Sequence, residues 1–295
     1  MKAVYLLCNL SKQAHHQALL RLVSQQEKEN IYIGLMMETR EMHPGMGLRT
    51  MYEMLEPEGI GRDHFIALGL REGFRLKALK NFVRTTYSIR SRYRNLLEGK
   101  QFTDVNQLWS SDITYLYCLD RFYYIVMIMD VYSRRIVGYS LADNMRAENT
   151  LDALKMAIAL RGQLNYHNEL IHHSDKGSQY VSDIYTDTLT EYGIQISMCD
   201  EVYENTHIER LNETIKNQYL NRRNITTENQ LKQEVAKTID TYNASRPHQS
   251  LSGLSPIDFE TYLKTIPKTN RIKMQIYTSS RIEPQDPNQL NLLFN

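Results

Sequence analysis

Apolar positions change their period along this chain, and each change marks a different kind of element. In the first 70 residues they recur at helical spacing in short runs. Ser11, a residue type that caps helices, precedes Ala14, Leu19, Leu20 and Val23. His43-Pro44-Gly45-Met46-Gly47 and Pro57-Glu58-Gly59-Ile60-Gly61 are strong breakers. The reading is of short helices with turns between them, two of which (residues 49–55 and 62–70) have the size of a helix-turn-helix pair. Any small helical bundle would show the same spacing.

Beyond residue 107 the period shortens. Residues 108–117 and 121–130 are strand-like, the second a nearly continuous apolar run from Phe122 to Met129 that suits a buried central strand. Ser133-Arg134-Arg135 turns the chain into a third strand, 136–141. Helical spacing returns over 147–160 at Leu151, Leu154, Ile158 and Leu160. A short strand at 169–173 leads to Asp175, Ser178 is placed to cap a helix running to 191, and 193–198 forms a last strand. A three-strand meander followed by alternating helix and strand predicts an α/β mixed sheet with helices on its faces. Helices follow at 205–220 and 228–242, the latter with Leu231, Val235, Ile239 and Tyr242 on one stripe. Residues 264–295 are polar, contain Pro267, Pro284 and Pro287, and read as an extended tail.

Composition narrows the class. Hydrophobic residues make up 42% and charged residues 23% of 295 positions, as in globular proteins. No apolar run reaches the ~18–20 residues of a membrane span, and the N-terminus lacks a secretory pattern. Cys8, Cys118 and Cys199 are isolated, which argues against a disulfide framework or a structural zinc site. A cytoplasmic, bacterial-type protein with no membrane role is the expectation.

The net charge of +1 conceals an uneven distribution. Residues 1–100 hold 16 Lys+Arg against 10 Asp+Glu, whereas residues 101–198 hold 7 against 12. The basic excess peaks at 71–100 and is interleaved with Phe74, Phe82, Tyr87 and Tyr93. This is the pattern of a nucleic-acid-binding arm, residues 71–106, attached to an acidic core, 107–263. A solvated helix face is the plainer alternative. The arm reading assigns phosphate contacts to Arg75, Lys77, Lys80, Arg84, Arg90, Arg92 and Arg94.

Three carboxylates carry the candidate chemistry. Asp112 stands mid-strand, where Asp is depleted. Asp175 follows a strand and precedes Lys176-Gly177; an Asx turn would explain it, but strand ends in open α/β sheets are also where catalytic groups gather. Thr206-His207-Ile208-Glu209 is a capping box, in which Glu209 would only satisfy backbone donors. Against that, Ile208, Leu211 and Ile215 define the buried stripe, which puts Glu209 and Lys216 on its flank roughly two turns apart. Lys216 by spacing alone also reads as an ordinary exposed lysine. His172 and His173 alternate faces of a strand, so one is expected in the core and the other nearer the site.

The settings of these acids carry a family resemblance. Trp109-Ser110-Ser111-Asp112-Ile113-Thr114-Tyr115, His173-Ser174-Asp175-Lys176-Gly177-Ser178-Gln179-Tyr180, and Glu209 followed by Lys216 resemble the retroviral-integrase-like (DDE) core of insertion-sequence transposases. The nearest likeness is to the second reading frame of the third insertion-sequence family. Asp130-Val131-Tyr132-Ser133-Arg134-Arg135-Ile136-Val137-Gly138 and Tyr242-Asn243 with Arg246-Pro247-His248-Gln249 and Leu251 are similar to that family as well. The interval from Asp175 to Glu209 is slightly shorter than the family's, and its loop reads Cys199-Asp200-Glu201-Val202-Tyr203-Glu204-Asn205.

The resemblance implies a ribonuclease-H-like fold behind a helical N-terminal region (1–70). It implies two magnesium or manganese ions on Asp112, Asp175 and Glu209, with Lys216 and Asn212 contacting DNA. It also implies cleavage of transposon ends and strand transfer into target DNA by a homo-oligomer in the nucleoid, with an upstream-frame protein as a partner. A non-catalytic DNA-binding accessory and a hybrid-cleaving ribonuclease are the competing readings. At the end of the tail, Gln289, Leu290, Leu292 and Phe294 fit either of two roles: folding back on the core or a partner subunit, or a linear motif for the bacterial sliding clamp.

Overall fold

The computed structural model describes residues 11–77, 93–163, 165–199 and 205–276. In chain order the elements are α1 (Lys12–Met42), α2 (Leu48–Leu55), α3 (Arg62–Arg71), β1 (Gln101–Phe102), β2 (Leu108–Cys118), β3 (Arg121–Asp130) and β4 (Ile136–Ala142). Then come α4 (Ala147–Arg161), β5 (Ile171–Ser174), α5 (Asp183–Glu191), β6 (Gln195–Met198), α6 (Thr206–Glu213), α7 (Glu228–Ser245), α8 (Pro256–Leu263) and β7 (Met274–Gln275). The described residues cluster into two compact units. One joins the residues up to 77 to 214–256, and the other joins 93–213 to 257–276. Among the described residues no helix is long and apolar enough to cross a membrane.

The helical unit opens as the capping signal predicts, with Ser11 Oγ accepting the Ala14 N–H at 3.0 Å. The helix expected to be short after Ser11 is instead a 31-residue helix, α1, that runs on to Met42 at the first breaker. The physical reason is the absence of any proline between Lys12 and Met42; a lone Gly34 weakens a helix without ending it. The C-terminal part of α1 supplies Met36 to a core with Met46, Leu48, Met51, Ile60, Phe65 and Leu68. Thr227 caps α7 by accepting from Gln230 N, and Leu231, Val235 and Ile239 of that helix are buried as its stripe predicts.

One predicted helix is broken into three forms. The 205–220 segment is α-helical only to Glu213, π-helical over Thr214–Tyr219 and 3-10 over Leu220–Arg222. Packing within the helical unit accounts for the change. A Cβ on Gly45 would lie 2.4 Å from Gln218 Cα, so the backbones touch there. His43 Nδ1 lies 2.7 Å from the Tyr219 hydroxyl, and Arg222 Nε donates to the Asn217 carbonyl at 3.0 Å. Of these, the Arg222 bond takes up the Asn217 carbonyl of the π-helical stretch, and the close approach of Gly45 confines the backbone at Gln218.

The second unit is built on a five-stranded sheet of order β4-β3-β2-β5-β6. β2, β3 and β4 pair antiparallel as a meander, while β5 and β6 run parallel to β2. The apolar run of β3 is buried from Ile125 to Asp130, as a strand covered on both faces requires. The mixed α/β sheet flanked by helices is the fold class that the periodicity predicts.

On one face α4 and α5 close a core with Trp109, Val126, Ile128, Leu151, Leu154, Ile158 and Leu189. Close approach of α4 to β4 depends on Gly138, whose Cβ would meet the Ala153 carbonyl at 2.1 Å. Asp130 at the end of β3 is fully buried, and Arg161 of α4 and Glu260 of α8 complete an ion network around it. Arg161 Nη2 lies 3.2 Å from Asp130 and 2.7 Å from Glu260, and Arg135 Nη1 lies 2.6 Å from Glu260.

Two local readings differ from the structure. The helix after Asp175 starts at Asp183 with Ser182, not Ser178, at its N-cap, because residues 175–182 are spent on hydrogen-bonded turns. Residues 264–276, expected in an extended tail, are partly built into the fold. β7 pairs with β1, and Arg271 bonds to Asp104.

Candidate active site

Parallel pairing of β5 with β2 sets the first two acids close together. Ser111 is in register with Ser174, so the next residues are Asp112, within β2, and Asp175, just past the end of β5. Both are half-buried, whereas Glu209 in the first turn of α6 is exposed. The start of α6 is tied to β2 by Asn205, which accepts from Ser110 Oγ and donates Nδ2 to the Ser111 carbonyl. Ile208 and Leu211 bury the other side of the helix.

Asp112 uses both oxygens. Oδ1 accepts the Ile113 N–H at 2.8 Å, and Oδ2 accepts from Asn212 Nδ2 at 2.8 Å. Its carboxyl is pushed up to about 8, by burial first, then by the charges of Asp175 and, less strongly, Glu209, against the two hydrogen bonds. Asp175 is also raised by burial, opposed by the Gly177 N–H that donates to its Oδ1 at 3.0 Å. The three acids therefore share one electrostatic neighbourhood. Asn212, one turn after Glu209 on α6, is buried, and its Oδ1 has no hydrogen-bond partner among the described residues.

The donor chemistry of this set is that of a hard cation: carboxylate oxygens, with a buried amide oxygen at hand. Among the described residues, no three His, Cys, Asp or Glu side chains stand close enough to hold a metal ion as they are placed. Like-charge repulsion, visible in the rise at Asp112, opposes their convergence, and a divalent cation would relieve it. The residues fit such an ion by charge and ligand type.

The histidines are placed otherwise than expected. Both are 1% exposed, and neither approaches the acids as a ligand. His172 Nε2 lies 2.8 Å from the Tyr185 hydroxyl, while His173 bonds to Ser197 Oγ at 2.9 Å and Cys199 Sγ at 3.1 Å. Burial brings His172 down to about 3, so it is neutral. The reason is that both faces of β5 are covered, so alternation sends each ring into packed protein rather than one toward solvent. Sequence reading missed Ser111, Tyr180 and Tyr185, whose hydroxyls form a buried layer beside Asp112. Tyr180 closes the motif that begins at His173, and only its pairing was invisible.

Lys216 lies half-buried in the π-helical segment. Arg75, Lys77 and Arg94 are exposed. Lys80, Arg84, Arg90 and Arg92, and the tail residues Gln289, Leu290, Leu292 and Phe294, lie outside the described residues.

Residues 103–202 match an integrase core domain family, and residues 192–256 match a second integrase core domain family. The transposase of insertion sequence element IS904 from Lactococcus lactis is 36% identical over 163 residues, which is 54% of this chain and 63% of that protein. The chain thus spans less than two thirds of that relative's length. Transposase InsF of insertion sequence IS3A from Escherichia coli is 31% identical over 196 residues, 64% of this chain and 67% of that protein. Among solved structures, the HTLV-2 integrase catalytic core domain in complex with magnesium aligns with a TM-score of 0.43 and 23% identity, over 57% of this chain and 99% of that one.

Proposed function

Because the chain belongs to the insertion-sequence transposases with an integrase core, we propose that it is a metal-dependent polynucleotidyl transferase acting on transposon ends and target DNA. The observation that carries this reading is that the acids from three segments meet at one carboxyl: Asp175 and, less strongly, Glu209 raise Asp112, whose Oδ2 is held by Asn212 of the helix that carries Glu209. A carboxyl raised by its neighbours' negative charge costs stability, and such groups gather at functional sites.

Asp112, Asp175 and Glu209 would hold magnesium or manganese, two ions being the expectation. Such ions, when bound, supply positive charge to the attacking and leaving oxygens of a phosphoryl displacement. The chain's own contribution is placement. The Ile113 N–H and Asn212 amide fix the Asp112 carboxylate, and the Gly177 N–H fixes that of Asp175. Water would be the nucleophile that frees a 3′-hydroxyl, and that hydroxyl the nucleophile that joins target DNA. Neither step needs a covalent bond to the protein. Lys216 and the exposed Arg75, Lys77 and Arg94 would contact the DNA backbone, together with Lys80, Arg84, Arg90 and Arg92, whereas Asn212, expected on DNA from the sequence, is buried against Asp112 and would position that acid instead. A homo-oligomer assembled on DNA is part of the same reading, as is a partner protein from an upstream frame.

The deciding experiment is cleavage and joining of DNA carrying the element's ends, with magnesium. Asp112→Asn, Asp175→Asn and Glu209→Gln are each expected to abolish both steps with an unchanged circular dichroism spectrum. Activity retained in any of the three removes that residue from the site. Equal cleavage of an RNA–DNA hybrid and of DNA ends would favour a ribonuclease instead.

A further inference from the structure

Asp112 and Asp175 ride on different elements, and β2 alone does not fix their separation. Tyr180 bridges the two. Its ring is fully buried, and its hydroxyl lies 2.9 Å from Oγ of Ser111, the buried residue before Asp112. At its backbone, the Tyr180 N–H donates to the Gly177 carbonyl at 3.0 Å, and the Gly177 N–H donates to Asp175 Oδ1 at 3.0 Å. A short relay therefore runs from the Asp175 carboxylate through its turn and the Tyr180 ring to β2 beside Asp112.

The ring has little freedom to miss this contact. Tyr185 meets it edge-on with centroids 5.6 Å apart, and the His172 ring lies at 6.2 Å. Tyr185 is itself held by its 2.8 Å bond to His172 on β5. Burial raises the Tyr180 and Tyr185 hydroxyls well above their usual range, so both stay protonated donors. A buried hydroxyl left unpaired costs about 1–3 kcal/mol, so the Ser111 bond selects one placement of the ring and hence of the turn.

We infer that Tyr180, through Ser111, is a positioning residue that sets the separation of Asp175 from Asp112. The inference rests on the proposed role of these two acids as joint metal ligands. Partners behind metal ligands typically change metal affinity or activity by about 10–100-fold when removed. Tyr180→Phe keeps the ring and its packing and deletes only the hydroxyl; Ser111→Ala deletes the other half of the same hydrogen bond.

The test titrates the full chain with manganese alone by calorimetry. Each single variant is expected to bind manganese about 10-fold more weakly than wild type, and the double variant no more weakly than Ser111→Ala alone, since that variant already removes the bond between the two hydroxyls together with the Ser111 contact to Tyr185. Wild-type affinity in either single variant, or losses that multiply in the double, overturns the inference. A packing role without positioning would lower the melting temperature and leave manganese affinity alone. A metal-free readout is amide exchange at Gly177 and Tyr180, expected to quicken in Ser111→Ala; unchanged protection also overturns it. If exchange quickens while the wild-type chain binds no manganese, or Asp112→Asn binds it as wild type does, the metal reading falls and the Ser111–Tyr180 clamp stands.

Discussion

Single residues set tolerances that sequence pattern does not display. Gly138 sits where β4 meets α4, with the Ala153 carbonyl 2.1 Å from the place a Cβ would take. Gly138→Ala is expected to destabilise the chain by about 1–3 kcal/mol, as overpacking does, and a lowered thermal midpoint is the check. His43 in the helical unit gives a pH dependence. It contacts Tyr219 at 2.7 Å and Ser245 at 3.2 Å. Burial, then the charges of Arg246 and Arg223, bring it from 6.5 to about 4. Its folded value lies below its unfolded one, so the unfolded chain binds the proton more readily. The stability contributed by neutral His43 is full above about pH 6.5 and is lost as pH falls toward 4. A melting curve series over that window should be flatter for His43→Asn; an identical slope would assign the acid sensitivity elsewhere.

Elements show where local signals hold and where packing overrides them. The β2–β3 hairpin turns on Leu119 and Asp120, both at positive φ (55° and 59°). Left-handed backbone suits Asn and Gly far better than Leu, so Leu119→Asn with Asp120→Gly is expected to stabilise the hairpin by about 1 kcal/mol. Denaturant midpoints would register this, and a loss of stability would mean that Leu119 packs usefully. The π-helical segment is the opposite case. It sits beside the close approach of Gly45 to Gln218, so Gly45→Ala is expected to quicken amide exchange at Gln218 and Tyr219. Unaltered exchange there would show that the segment's geometry is its own.

At the scale of the whole chain, each compact unit recruits residues distant in sequence. The sheet unit takes back 257–276, and with them Glu260, which is joined to Arg135, Arg161 and Ser133. Removing one partner of a buried ion pair typically costs about 3–5 kcal/mol, so Glu260→Ala should lower stability by that order, measured by denaturant unfolding. A chain ended at Pro256 should fare worse, since it also loses β7. For the basic segment, replacing Arg90, Arg92 and Arg94 together is expected to reduce the salt slope of duplex binding by roughly 0.9 for each phosphate that these side chains neutralise. An unchanged slope would take those residues off the DNA.

The strands of the meander, and the buried positions Leu151, Leu154 and Ile158 of α4 and Leu231, Val235 and Ile239 of α7, were legible in sequence, and the three acids stood out there as candidates, because local periodicity and residue chemistry act over a few neighbouring positions. Leu160, on the predicted α4 stripe, is exposed. Asp112 stood out as an acid in a strand, and Asp175 as an acid at a strand's end. What the tertiary structure decided is which distant groups meet: β5 beside β2, Tyr180 on Ser111, Asn212 on Asp112, Glu260 on Arg161. It also decided the π-helical break after Glu213 and the burial of both His172 and His173. Those outcomes depend on close packing and on satisfying buried polar groups across the chain, and neither leaves a period in the sequence.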